Sequence, residues 1–84
     1  MTGIEARDYI LEQIVEHDPS GKHTTIKLSL PLASDLTKLT HQDVGSLAEK
    51  LLREGVKAFN GQTLFGYQVD IDRNQDDHVV EFSV

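Results

Sequence analysis

The chain has 84 residues, of which 14 are acidic and 8 are Lys or Arg, for a net charge of −6, and it contains no cysteine. That length makes one small domain, residues 1–84, near the size at which a single core is only just sufficient, and without thiols there is no disulfide framework, thiolate nucleophile or sulfur-ligated metal. The acidic balance argues against direct nucleic-acid binding, whose non-specific affinity comes from Lys and Arg on phosphates; no apolar run nears the roughly 20 residues of a bilayer span, so a soluble, unexported protein of the reducing cytoplasm, without a membrane partner, is expected.

Thr2-Gly3-Ile4-Glu5 matches a capping box, in which hydroxyl and carboxylate each satisfy an orphaned backbone N–H at a helix start. A helix is predicted from about Gly3 to His17, with Ile4, Ile10, Leu11, Ile14 and Val15 gathered on one side at about 100° per residue. His17-Asp18-Pro19-Ser20-Gly21 supplies the stop and the turn residues. Ile26, Leu28, Leu30 and Leu32 then alternate with Thr25, Lys27, Ser29 and Pro31, the period of a strand with one buried face; Pro31 marks an edge or the strand's end. Thr40 caps a second helix with the stripe Val44, Leu47, Ala48, Leu51, Leu52 and Phe59, closing at Asn60-Gly61. Gly45 and Gly55 lie inside it, and Gly55, on the apolar side, reads as a point of close packing against the sheet. Phe65, Tyr67, Val69 and Ile71 alternate, residues 73–77 interrupt, and His78, Val80, Phe82 and Val84 alternate again, which predicts a C-terminal β-hairpin with one apolar face.

The order α-β-α-β-β predicts an α+β two-layer sandwich, two helices packed on one face of a three-stranded mixed sheet. Its expected core is Ile10, Leu11, Ile14, Leu28, Leu30, Leu47, Leu51, Leu52, Phe65, Tyr67, Val69, Val80 and Phe82. The second helix fits a crossover from the first strand to a parallel neighbour. The polar side of the sheet is left to solvent or a partner, and its two open edges predict a homodimer or the binding of a partner by strand or sheet-face contact.

The sharpest chemical pattern spans residues 70–81, where Asp70, Asp72, Asn74 and Glu81 fall at positions 1, 3, 5 and 12 of a calcium-loop spacing. Gln75 stands where the loop needs glycine, and the flanks alternate as strands, so a solvated hairpin turn is the preferred reading and no metal or other cofactor is assigned. His17, His23, His41 and His78 are scattered over different elements without the one-turn spacing of a zinc motif. No nucleophile elbow, phosphate loop or Ser-His-Asp order is present, so the chain reads as non-catalytic.

The first helix carries Glu5, Asp8, Glu12 and Glu16 at spacings of three and four, like charges that oppose the helix by about 0.2 to 0.5 kcal/mol per pair. Four carboxylates over about 16 Å approach the charge density of one DNA strand. An ordinary solvated face is the alternative; Tyr9 beside the row tips toward an interface, where tyrosine is enriched. Glu5, Asp8, Tyr9, Glu12 and Glu16 are therefore the candidate partner-binding residues. The favoured function is a small acidic non-enzymatic interaction module, an adaptor or inhibitor, phage-encoded or regulatory in its sharpest form, binding a protein partner with a basic nucleic-acid-binding surface. The competing classes are an assembly subunit that self-associates through sheet edges, and a small-molecule binder or enzyme with its site at a dimer interface.

Overall fold

A computed structural model describes residues 1–39, 47–59 and 61–83. The elements are α1 (Gly3–His17), β1 (Thr25–Ser29), α2 (Leu30–Leu36), α3 (Leu47–Glu54) running into a 3₁₀ turn (Gly55–Phe59), β2 (Thr63–Leu64), β3 (Tyr67–Asp72) and β4 (Val80–Ser83). Thr40, His41, Val44, Gly45, Asn60 and Val84 lie outside the described residues, as do the side chains of Leu47, Ala48 and Leu52.

The capping box forms as predicted: the Glu5 N–H donates to Thr2 Oγ1 at 3.1 Å and the Thr2 N–H to Glu5 Oε1 at 2.8 Å. At the other end the Asp18 N–H closes the last turn on the Ile14 carbonyl at 2.9 Å. β1 passes directly into α2, so Leu30 and Leu32, expected in the strand, belong to a helix. Pro31 explains the switch: its fixed φ suits the first helical turn, where its missing N–H would be unpaired anyway. Leu32, Ala33 and Leu36 then fall on one helical side and are fully buried.

The α+β class and the mixed sheet hold, with four strands in the order β2-β3-β1-β4. β1 is parallel to β3 and antiparallel to β4, while β2 pairs with β3. The predicted C-terminal hairpin is thus split, because β1 lies between the two strands that were to pair. Ile26 and Leu28 are completely buried, and the central position gives both their flanks a strand. Residues 73–79 make a connection longer than the two to five residues usual for a hairpin loop, enough to step over a strand. The hairpin that does form is β2–β3, with Phe65 and Gly66 as its two-residue loop.

The register places Val69, Ile26 and Phe82 in one apolar row and Ile71, Leu28 and Val80 in the next. These rows face Ala6 and Ile10 of α1, Leu32 and Leu36 of α2, Leu51 of α3 and Phe59 of the 3₁₀ turn. The opposite face carries Thr25, Lys27, Gln68, Asp70, Glu81 and Ser83 and is polar. Leu11 and Phe65, expected in the core, are on the surface, and Leu30 is half-buried. Gly55 is not a packing glycine either. No atom lies within 4 Å of where its Cβ would be, and its φ of +63° is the left-handed turn that ends α3. The close approach is at Gly3, where a Cβ would meet backbone atoms of Lys38 and Leu39 at 3.0 Å.

Candidate interaction surface

α1 has two apolar sides. The small residues Gly3 and Ala6, with Ile10, are buried, because small side chains let the helix approach α2 and the sheet closely. The larger residues on the other apolar side are displaced outward: Ile4 is 51%, Leu11 38% and Val15 72% exposed. They lie about one helical row away from Asp8, Glu12 and Glu16, so apolar and acidic groups share one exposed face.

The five candidate contact residues separate into different roles. Glu5 serves the capping box, and the Thr2 backbone N–H holds its carboxyl below the ordinary range. Asp8 Oδ1 accepts from Arg7 at 3.2 Å (Nε) and 2.9 Å (Nη2). Tyr9 is half-buried, with its hydroxyl donating to the His78 carbonyl at 3.1 Å, so it ties α1 to the entry of β4. Glu12 and Glu16 are exposed. The continuous acidic row therefore reduces to these two carboxylates, edged by Leu11, which the sequence places in the core, and by Val15, which it places on the helix's apolar side.

The calcium-spaced residues do not converge. Asp70 and Asp72 lie in β3 and Glu81 in β4, with β1 between them, about 10 Å apart at two strand spacings. Lys27 stands between Asp70 and Glu81 in the register, and Asp72 Oδ1 accepts the Asn74 N–H at 3.0 Å in a turn.

Two polar centres, one buried and one half-buried, escaped sequence reasoning. Asp18, only 4% exposed, accepts from Tyr67 Oη at 2.7 Å and from the N–H groups of Lys22 at 2.8 Å and His23 at 3.2 Å. Burial pushes its carboxyl up, but the Tyr67 hydroxyl, the His23 ring and these N–H groups outweigh it and hold the group at about 2. Tyr67 is pushed up in return, first by that hydrogen bond. His23 Nδ1 lies 3.1 Å from Asp18 Oδ1 without the geometry of a directed hydrogen bond. The second centre is Asp35, which His78 Nε2 approaches at 2.8 Å and Lys38 Nζ at 3.3 Å; the His78 bond is the main cause of its lowered pKa. Both centres pin elements distant in sequence, which no local spacing discloses.

Among the described residues no helix is long and apolar enough to cross a membrane, and no three His, Asp or Glu side chains gather as a metal-binding group. The chain is a small α+β domain with a one-sided sheet and a mixed apolar and acidic helix face. No protein-family model, curated protein or solved structure matches it.

Proposed function

We propose that this is a small, non-enzymatic, cytoplasmic interaction module, an adaptor or inhibitor that binds a protein partner through the outer face of α1. The observation that carries the reading is the exposure of Ile4, Leu11 and Val15 beside Glu12 and Glu16. Large aliphatic side chains at helical spacing are the anchors of helix-in-groove recognition, and a contiguous exposed apolar patch has a use or is a liability. The carboxylates specify the partner's rim. Two copies joined by this face would bring two acidic rows together, whereas a groove edged by Lys or Arg would be attracted and steered. Two unpaired carboxylates are too few to imitate a phosphate backbone, so the partner is defined by an apolar groove with a basic rim, whether or not that rim also binds nucleic acid.

The test immobilises the chain beside two variants, Leu11→Ser/Val15→Ser and Glu12→Gln/Glu16→Gln, and identifies the cellular proteins each retains. The partner should be lost by the first. With the purified partner the second should associate more slowly, with a flatter salt dependence. The same proteins retained equally by all three folded chains would overturn the reading.

A further inference from the structure

We infer that the free edge of β4 is a docking site for an extended, basic segment of a partner protein, which adds to the sheet as a fifth strand. This adds a second surface to the helix-face reading and shares only Glu12 and Glu16 with it.

The edge is defined by the backbone. The Ser29 N–H donates to the Val79 carbonyl at 3.0 Å and the Thr24 N–H to the Ser83 carbonyl at 3.1 Å, so Val79 and Ser83 turn their polar groups toward β1. By the alternation of an antiparallel ladder, Val80 and Phe82 turn theirs the other way. β4 is last in the sheet order, and among the described residues no strand pairs with that side. Unpaired N–H and C=O groups in a row are a template for another strand.

What is acidic around this edge decides the occupant. α1 runs alongside β4, with the Tyr9 hydroxyl on the His78 carbonyl and the His17 ring 6.1 Å from that of Phe82. Going round the helix from Tyr9 away from the core, Glu16 and Glu12 come within about 60° at about 100° per residue, so they overhang the open edge. Glu81 projects from the other face of β4. An added strand would lie about 4.8 Å beyond β4, between these carboxylates. Long basic side chains fit it, their aliphatic stems along Val80 and Phe82 and their charged ends toward the glutamates. A second copy fits badly. Antiparallel self-pairing that joins Val80 to Phe82 sets Glu81 opposite Glu81, and like charges directly across a ladder are destabilising.

The probe is a blocked eight-residue peptide of alternating Lys and Val, with the Glu–Val peptide and an N-methylated Lys–Val peptide as controls. In amide hydrogen exchange by NMR, the Lys–Val peptide should slow exchange at Val80 and Phe82 and leave Lys27 and Leu28 unchanged; neither control should do so. Val80→Pro removes an outward N–H at a strand's first residue, where proline is tolerated. It should weaken binding roughly tenfold, and Glu12→Gln/Glu16→Gln roughly two- to tenfold. Absence of protection at Val80 and Phe82, or protection by the Glu–Val peptide, overturns the site even if Val80→Pro misfolds. Peptide binding kept by Leu11→Ser/Val15→Ser, with the cellular partner lost, would leave this inference standing apart from the helix-face reading; the reverse would sink this one alone.

Discussion

Phe65 and Gly66 both hold positive φ, +52° and +87°, the geometry of a type I′ hairpin loop that asparagine followed by glycine satisfies best. A bulky residue in the left-handed region costs about 1 to 2 kcal/mol, and Phe65 is 37% exposed, so little burial offsets that cost. Phe65→Asn should therefore raise stability by about 1 kcal/mol, read as a denaturation midpoint shifted upward with an unchanged slope; a lowered midpoint would mean that the ring contributes more than its exposure implies. Tyr67 is the second residue whose role is testable alone. The Asp18 carboxyl is held at about 2, below its ordinary 3.8. A depressed folded pKa gives stability that is complete above the unfolded value and is lost as pH falls through the folded one. Tyr67→Phe, which removes the 2.7 Å donor, should lower the thermal midpoint at pH 7 and approach the parent as pH falls toward 2. A gap constant over that range would show that the hydroxyl acts independently of the carboxylate's charge.

At the scale of elements, α1 separates neighbours sharply. Ile10 is fully buried, whereas Leu11 is 38% exposed, so Ile10→Ala should cost about 2 to 5 kcal/mol and Leu11→Ser within about 0.5 kcal/mol. Equal losses in urea denaturation would contradict the placement of the helix. Leu51, on the buried side of α3, should behave like Ile10 when changed to Ala. The helix itself was legible, since its capping box and its end at His17 are local chemistry. The choice between its two apolar sides was not. Periodicity weighs side chains by hydrophobicity, but the buried side was selected by the smallness of Gly3 and Ala6, a matter of distance to Lys38 and Leu39. β1 was legible to Ser29 and no further, because Leu30 and Leu32 satisfy a two-residue alternation and the start of a helical stripe alike. The strands' faces could be read from alternation, but their order could not: Val69 and Phe82 alternate in the same way whether they pair with each other or with Ile26. Of the candidate surface, the carboxylates were visible in the sequence, while the aliphatic half was read only as the helix's apolar side, with Leu11 assigned to the core.

For the whole molecule the distribution of charge sets how it behaves in solution. The segments 1–18 and 70–84 each hold five acids and one base; the first contains α1 and the second all of β4, so the elements that carry the proposed docking surfaces are both acidic. At low ionic strength these segments repel their counterparts on another copy, and at 1 M salt that repulsion is screened beyond about 3 Å. Sedimentation equilibrium should find a monomer at low salt and growing self-association at high salt as Ile4, Leu11 and Val15 find one another. A dimer already complete at low salt would favour the assembly-subunit class. Binding to a basic partner should follow the opposite trend and weaken as salt rises.

The central place of β1 has a consequence for synthesis. Both strands that flank it, β3 and β4, come later in the chain, so during translation the completely buried Ile26 and Leu28 have no flanking strand until β3 has left the ribosome, and only one until β4 follows. Pairings this distant must close long loops before they are rewarded. Until then β1 keeps at least one open edge, so folding should be late and largely all at once, and interruption before β4 should expose β1 to aggregation or proteolysis.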